Sequence, residues 1–395
     1  MNTGGPMGKN EHARLVSGIE AWWVKVRAGL ILCSVSFSVL HSPLKAFRAL
    51  RWLAGQRRRI HGNKRDHKIV RAGDKYYWSI YTPGFPSEGF KDVIRREVLR
   101  VYKPSEKIIP LQTLILSITS KCFYQCEHCF EGKNLNGKEH LSYSDLEKAM
   151  SDALDSRIPH IQIGGGEPML RYEEMIRLMN PGRGITEFWL STSGYDLTQD
   201  KAKALREAGV TGAAISLDHW DPDKHIQFRK HPEAYLWVER AVENCLKAGI
   251  VPNLTLCVTR EMASEENLMR YLDLAKNMRV PFVRFLEARR VGNYAGKDVL
   301  LSKEQQNTVL QVYLRFNGSK KYRSYPIIQY PGYHQRVLGC FGAGNRYLHI
   351  DSRGDYHACP FCRGKVGNIR ELKLEDAIPL LQQKGCHLFK SHVHD

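Results

Sequence analysis

The chain has 395 residues, of which 43% are hydrophobic and 25% are charged, and its formal net charge is +18. This apolar content supports a sizeable core, and domains of ~100–200 residues predict two or three of them. The composition excludes a collagen, a coiled-coil rod, a low-complexity chain and a polytopic membrane protein.

The positive charge is concentrated in the first quarter of the chain. Residues 1–107 contain 21 Lys and Arg against 8 Asp and Glu, a net charge of +13. A basic segment of this kind meets an anionic surface more often than it reads a base sequence. Because it lacks interleaved aromatic residues on a recognisable module, a nucleic-acid binder is a weak alternative.

Residues 1–73 read as a basic, partly hydrophobic extension. The run Ala28–Leu40 is apolar, Trp22 and Trp23 precede it, and basic residues follow from Lys45 to Arg65. This order predicts a helix lying in a bilayer interface. A hydrophobic helix packed on the catalytic domain stays open, as does a span or an uncleaved signal, although a span needs ~20 apolar residues. We expect a cytoplasmic protein that is peripheral on the inner membrane face if the first alternative holds.

Residues 74–109 read as a lead-in of strand, turn and helix. Aromatic residues at 76–81 have strand composition, a proline-rich turn covers 82–86, and apolar residues recur at helical spacing over 90–99.

Residues 110–300 alternate between strand-like and helix-like segments. Six such repeats predict an α/β fold with a parallel sheet and covering helices, whose chemistry lies at the carboxyl ends of the strands. The predicted strands are 114–119, 160–163, 188–191, 212–217, 252–258 and 281–287; the predicted helices are 143–154, 173–179, 199–208, 234–248 and 265–276.

Three cysteines follow the first of these strands, within eight residues: Cys122, Cys126 and Cys129. Three thiolates on one loop can hold three irons of a cubane and leave the fourth iron open. A zinc site would need a fourth ligand, for which His128 is poorly placed beside Cys129. Thiols without a metal are the remaining alternative.

A glycine-rich turn follows the second strand, with the sequence Gly164-Gly165-Gly166-Glu167-Pro168. Glycines let the backbone approach a ligand closely, and Glu167 places a carboxylate beside them that could accept from an ammonium group. A tight strand–helix turn that Pro168 ends is the alternative.

Together the two motifs resemble the radical S-adenosylmethionine (radical SAM) superfamily. The resemblance covers roughly 110–300 and implies a partial (β/α)6 barrel, which agrees with the repeat count. It implies that Cys122, Cys126 and Cys129 bind a 4Fe–4S cluster whose open iron is chelated by SAM. The implied SAM contacts are Gly165, Gly166, Glu167 and Pro168 for the amino group, Ser216 of Ser216-Leu217-Asp218 for the carboxylate, Ser191, Ser193 and Asn253 towards the ribose, and His128 beside the adenine.

The resemblance also implies the reaction. An electron from a small donor of the flavodoxin or ferredoxin type enters the cluster, SAM is cleaved, and a 5′-deoxyadenosyl radical takes hydrogen from an unactivated C–H bond. The substrate is expected to be a peptide or a lipid. A non-catalytic zinc or iron–sulfur binding protein is the alternative, but it leaves the Gly-Gly-Glu-Pro and Ser-Leu-Asp elements at successive strand ends unexplained.

Residues 301–395 read as a small cysteine-rich region. A helix is predicted at 302–316, and a hairpin pairs 347–350 with 355–358. The cysteines Cys340, Cys359, Cys362 and Cys386 could hold one complete 4Fe–4S cluster, a structural zinc, or a cluster with three ligands. The spacing Cys340-x13-Gly354-x4-Cys359 resembles the opening of the SPASM extension, which implies a shortened version with one auxiliary cluster.

Overall fold

The computed structural model describes residues 13–62, 68–102, 111–386 and 388–389. Lys64 and Arg65 of the predicted basic segment, and the predicted boundary at 109, lie outside these ranges. The N-terminal region begins with β1 (Arg14–Val16), α1 (Gly18–Leu40), α2 (Pro43–His61), β2 (Ile69–Ala72), β3 (Lys75–Tyr77) and α3 (Glu88–Tyr102), and its strands form an antiparallel sheet in the order β1-β2-β3.

Helices α1 and α2 form a hairpin that packs on α3. The left-handed conformation of His41 ends α1. The Ser42 side chain then accepts a hydrogen bond from Lys45 N, and Pro43 occupies the first position of α2, so the second helix starts at once. One apolar cluster joins Val35, Ala49, Ile94 and Val98 from the three helices. The hydrophobic run is therefore a single helix with one face buried against the rest of the protein.

The central region contains six parallel strands in sequential order, each neighbouring the next. They form the partial barrel that the repeats predicted. The elements are β4 (Thr113–Ser117), α4 (Tyr143–Asp155), β5 (His160–Gly164), α5 (Tyr172–Met179), β6 (Glu187–Thr192), α6 (Gln199–Glu207), β7 (Val210–Ser216), α7 (Pro222–Arg229), α8 (Ala234–Ala248), β8 (Val251–Val258), α9 (Glu265–Asn277) and β9 (Phe282–Glu287).

Local sequence explains where these elements start and stop. Ser142 makes a reciprocal capping box with Asp145 at the start of α4, and Gly249 adopts a left-handed conformation after α8. The strands are almost entirely buried, because helices cover one face and polar and apolar side chains fill the other. This arrangement leaves the strand ends as the place where functional side chains gather.

The C-terminal region extends the barrel sheet on both sides. Its elements are α10 (Lys303–Gly318), β10 (Ile327–Gln329), α11 (Pro331–Leu338), β11 (Tyr347–Ile350), β12 (Asp355–Cys359), β13 (Cys362–Asn368) and α12 (Leu374–Lys384). Strand β10 pairs with β9 and β11 with β4, both in parallel, and β12 and β13 continue antiparallel. The predicted hairpin therefore exists, but its first strand belongs to a sheet of ten strands in the described residues.

The strand predicted at 76–81 is shorter than expected. Trp78 and Ser79 leave the small sheet because Gln329 on β10 engages both: its Nε2 donates to the Trp78 carbonyl, and its Oε1 accepts from the Ser79 hydroxyl at 2.9 Å. On the other side Lys75 pairs with Glu187 at the start of β6. The segment thus ties the N-terminal region to two separate strands of the barrel.

Candidate active site

The three cysteines of the first motif lie on the loop that leaves the carboxyl end of β4, and this loop is held by two asparagines. The Asn136 Oδ1 accepts from Cys122 N at 2.9 Å, and its Nδ2 donates to Cys122 O. Asn293, after β9, donates from Nδ2 to Cys126 O at 2.9 Å and from its backbone N–H to Cys129 O. All these bonds use backbone atoms of the cysteines, so the sulfurs are left available for a metal.

Close backbone contact between two loops makes a glycine necessary at this point. Gly292 has a φ of 56°, and a Cβ there would lie 2.0 Å from Cys129 O. Only a residue without a side chain permits the loop after β9 to cover the cysteine loop so closely.

The three cysteine sulfurs are suited to bind metal ions. Burial raises the pKa of Cys122 to about 12 and also raises the pKa values of Cys126 and Cys129. The thiolate forms that ligate iron therefore need nearby positive charge. One source is Arg229, whose Nη1 lies 3.5 Å from Cys126 Sγ, and bound iron would supply the rest. Three sulfurs on one loop thus suit a 4Fe–4S cluster with one iron open to SAM.

The glycine-rich turn after β5 packs directly on the cysteine loop. Gly166 N donates to Thr119 O and Glu167 N to Lys121 O, both at 2.8 Å. A Cβ on Gly166 would lie 2.2 Å from Lys121 O, and Gly165 has a φ of 143°. The glycines therefore allow the turn to reach the cysteine loop, which is a more specific role than the sequence suggested.

The Glu167 carboxylate is buried and fully engaged with the end of β6. It accepts from the Thr192 hydroxyl at 2.7 Å, from Ser193 N at 2.8 Å and from the Ser193 hydroxyl at 2.5 Å. Burial raises its pKa, although these hydrogen bonds act in the opposite direction. Glu167 and Ser193 thus orient each other and fix two neighbouring strand ends.

A buried ion pair lies behind the cysteine loop. Arg229 Nε donates to Asp218 Oδ2 at 2.6 Å, and Asp218 Oδ1 accepts from Cys257 N at 2.9 Å. Burial alone would raise the pKa of Asp218, but the Arg229 charge brings it below its ordinary value. The pair therefore stays charged and holds the guanidinium beside Cys126.

The remaining predicted cofactor residues lie around the same barrel mouth, and their roles towards SAM stay predictions. His128 stacks on Phe228 with ring centroids 4.9 Å apart, and burial lowers its pKa to about 4, so the ring is neutral. Pro168 is buried in a short 3-10 helix that follows Glu167. Ser191 accepts from Gln162 at 2.5 Å, Ser216 ends β7 half-buried, and Asn253 is fully buried on β8.

The four C-terminal cysteines also converge. Cys359 and Cys362 face each other across the turn between β12 and β13, Cys340 follows α11 and Cys386 follows α12. Side-chain contacts link Cys340 to Cys386, Cys386 to Cys362, and Cys362 to Cys359. Four sulfurs from three segments form one cluster, which we call the cysteine quartet.

The cysteine quartet is connected to the first cysteine loop. Phe361, between Cys359 and Cys362, packs edge-on against Phe130 with ring centroids 6.2 Å apart. Arg363 then contacts Glu131 at 3.4 Å. Phe130 and Glu131 immediately follow Cys129, so these contacts join the cysteine loop at the carboxyl end of β4 to the quartet, whose Cys359 lies towards the amino end of β11.

Several site residues escaped prediction from the sequence. Arg229, Asn136 and Asn293 lie outside any short motif, and each acts on the motif residues from a separate loop or helix end. The one available signal in the sequence was the residue type at position 136. Asn tolerates a positive φ, which is 61° here, better than most residues.

Comparisons with known proteins agree with this geometry. A sequence profile of the Radical SAM superfamily matches residues 116–275. The GTP 3′,8-cyclase of Alkaliphilus oremlandii is 26% identical over 197 residues, which cover 48% of this chain and 61% of that protein. The GTP 3′,8-cyclase of Aliarcobacter butzleri is 28% identical over 290 residues, covering 68% and 87%. The chain spans 54–61% of the length of three of the GTP 3′,8-cyclases that it matches.

Solved structures share the fold. Streptococcus suis SuiB bound to the precursor peptide SuiA superposes with a TM-score of 0.56 and 15% identity, covering 84% of this chain and 76% of SuiB. The enzyme anSMEcpe with bound AdoMet and the Cp18Cys peptide gives 0.54 and 19%, covering 71% and 84%.

Fold and site together define a partial-barrel iron–sulfur enzyme. Residues 116–275 match the Radical SAM superfamily, and this match supports an enzyme of that type whose cofactors are a 4Fe–4S cluster and SAM. The predicted enzyme class and fold are therefore confirmed.

Proposed function

We propose that the enzyme abstracts a hydrogen atom from an unactivated C–H bond of a peptide substrate held at the barrel mouth. The observation that carries the proposal is the placement of the cysteine quartet beside the first cysteine loop, through Phe130–Phe361 and Glu131–Arg363. A substrate between the two cysteine groups would extend from the carboxyl ends of the strands, where this architecture places its chemistry, into the barrel interior.

The chain's own residues prepare this region in three ways. Asn136 and Asn293 hold the cysteine loop, Glu167 fixes the adjoining strand end, and Arg229 offsets negative charge near Cys126. When bound, the reduced cluster and SAM supply a 5′-deoxyadenosyl radical that takes the substrate hydrogen.

We further propose that the cysteine quartet binds one auxiliary 4Fe–4S cluster, as in a shortened SPASM-like extension. The quartet offers four sulfurs, which complete the coordination of a cubane. A structural zinc would use the same four ligands, so the metal content decides between them.

A peptide substrate is supported by the shared fold with two peptide-bound enzymes, over 71% and 84% of the chain. GTP is the second candidate, because the curated relatives are GTP 3′,8-cyclases. A lipid is the third, because of the apolar N-terminal helix.

An assay of substrate-stimulated SAM cleavage tests the proposed function. The reconstituted full chain is incubated anaerobically with SAM and dithionite, alone or with a random-sequence peptide library, GTP, or a total lipid extract. We expect 5′-deoxyadenosine in every arm, with stimulation and a mass change in the peptide arm. Stimulation by GTP or lipid alone would replace the peptide assignment, and the absence of 5′-deoxyadenosine would contradict the reaction itself.

The electron is proposed to come from a small flavodoxin- or ferredoxin-type protein. Lys230 and Lys297 lie beside Cys129 in a cavity open to solvent. These cations would favour the approach of an acidic donor to the loop that carries the cluster.

We also propose that the α1–α2 hairpin rests on an anionic membrane surface at the cytoplasmic side. The outer face of α1 is apolar and exposed: Trp22 and Trp23 are each 56% exposed and Leu30 is 66% exposed. Leu44 and Phe47 on α2 are also exposed apolar side chains. Exposed apolar side chains in such a row indicate contact with a partner or a membrane.

The charge of the hairpin selects an anionic bilayer as that partner. No Asp or Glu occurs between Glu20 and Asp66, whereas Lys45, Arg48 and Arg51 lie exposed on α2. By length and composition α1 could also cross a membrane. Ala21, Val24 and Val35 are buried against the rest of the protein, however, which favours a helix lying on the surface.

Vesicle flotation tests the membrane proposal. The full chain is expected to float with vesicles containing a quarter phosphatidylglycerol and to bind pure phosphatidylcholine weakly. Replacing Trp22 and Trp23 by Ser, or Lys45, Arg48 and Arg51 by Glu, should each lower partitioning at least ~tenfold.

Matched controls on other faces are Ile185→Ser, where the side chain is 58% exposed, and Lys320, Lys321 and Arg323 replaced by Glu. Equal flotation of all variants would contradict the surface contact. Binding that resists high salt and carbonate washing would point to a spanning helix instead.

A further inference from the structure

A row of polar side chains crosses four neighbouring strands just inside the barrel mouth. Ser216 on β7 is in register with Thr255 on β8, Thr255 with Arg284 on β9, and Arg284 with Gln329 on β10. Residues in register on parallel strands face the same side of a sheet. Arg284 therefore lies on the same face as Ser216, which closes β7 at the mouth.

Arg284 is a buried cation without an acidic partner. It is 9% exposed, its Nε donates to the Thr255 hydroxyl at 3.2 Å, and it is also hydrogen-bonded to the Tyr81 side chain. Among the described residues no carboxylate oxygen lies within 4.0 Å of its guanidinium. By contrast, the guanidinium groups of Arg229, Arg336 and Arg346 each meet a carboxylate. Burying a charge that is not neutralised is costly, so its retention indicates a ligand.

Three further buried atoms on this face have no hydrogen-bond partner within the described part of the chain: Asn253 Oδ1, His160 Nε2 and Glu187 Oε2, the last on a carboxylate whose other oxygen pairs with Lys75. Asn253 is fully buried and donates from Nδ2 to the same Thr255 hydroxyl at 3.0 Å. Burial lowers the pKa of His160 to about 3, and the Arg284 charge adds to this effect. His160 is therefore neutral and adds no charge beside Arg284, whereas the buried Glu187 on this face has its own cation in Lys75. Buried polar atoms without partners are rare, and Asn253 and His160 belong to the surroundings of one cation without an acidic partner.

We infer that Arg284 binds an anionic group of the substrate, a carboxylate or a phosphate, inside the barrel. The inference rests on the proposed function, since it names the chemical class of the substrate of that site. A guanidinium offers two parallel donors to either group, and Tyr81 and His160 supply neutral polar neighbours. Ser216, the predicted contact of the SAM carboxylate, is two strands away, at about 10 Å across the sheet. The substrate anion at Arg284 and the SAM carboxylate at Ser216 would thus occupy separate positions along the same row of side chains.

Thermal unfolding of the reconstituted holoenzyme with SAM tests the inference. Inorganic phosphate and acetate serve as separate probes, so the two arms distinguish the two anions. We expect one of them to raise the Tm of the wild-type protein and to leave Arg284→Met unchanged, with a smaller rise in Arg284→Lys. Without an anion, Arg284→Met should be at least as stable as the wild type, because it removes an unneutralised buried charge. Arg290→Met, at an exposed position, is the matched control.

Three results would overturn the inference. An equal Tm rise in wild type and Arg284→Met would place the anion elsewhere. A lower Tm for Arg284→Met without any anion would make Arg284 a structural residue. Weaker SAM binding in equilibrium dialysis would assign Arg284 to the cofactor. None of these readouts uses turnover, so formation of 5′-deoxyadenosine by the same samples tests the proposed function separately.

Discussion

Replacing Cys126 by Ala is expected to abolish SAM cleavage and to remove about four irons per chain. Cys126 is buried, and its sulfur is the one that lies beside the Arg229 guanidinium. A cubane held by two sulfurs loses both its anchoring and the geometry that leaves one iron open to SAM. The measurement is iron and sulfide content of anaerobically reconstituted protein, with 5′-deoxyadenosine assayed after addition of SAM and dithionite.

The Cys126→Ala variant should still fold, because Asn136 and Asn293 hold backbone atoms of the loop and not its sulfurs. Cys245→Ala is the matched control, since Cys245 is a fully buried thiol on α8, in the apolar core. It should keep iron and activity. Unchanged iron in Cys126→Ala would contradict the assignment of the first cluster.

The barrel was predictable because its signals are local. Each strand is a short buried run, each helix shows apolar residues at helical spacing, and the cysteines and Gly165–Pro168 follow directly on strand ends. Short segments of this kind carry their pattern within a few residues, so no knowledge of distant contacts is needed.

The parts that escaped prediction depend on contacts between distant residues. Arg229 reaches Cys126 from α7, 103 positions along the chain, and Asn293 reaches it across 167 positions. The premature end of β3 depends in the same way on Gln329, which lies 251 positions beyond Trp78. No spacing rule connects such residues, because the fold itself brings them together.

The N-terminal helix is an intermediate case. The sequence left a membrane interface, a packed helix and a span open, since all three need the same apolar composition. The structure adds the distinction between two faces of α1, with Val24 and Val35 buried and Trp22 and Leu30 exposed. That division is readable only when the position of α3 is known, because α3 determines which side of α1 is covered.

Replacing Cys359 by Ala is expected to lower the iron content from about eight to about four per chain while SAM cleavage without substrate persists. The first cluster is retained because its three sulfurs come from a separate loop, and the variant leaves Phe130, Phe361 and the Glu131–Arg363 contact in place. Substrate-dependent product should be lost if the auxiliary cluster takes part in the proposed reaction. The measurement combines iron, sulfide and zinc content with 5′-deoxyadenosine and substrate mass.

The metal content of the wild-type protein is the reference for the Cys359→Ala variant. About four irons with one zinc, and loss of only the zinc in Cys359→Ala, would give the cysteine quartet a structural zinc role. A variant with no iron at all would mean that the quartet supports the first cysteine loop. In that event the contacts made by residues 130–131 and 361–363 would be needed to hold both groups together, and the two cysteine groups could not be treated as independent sites.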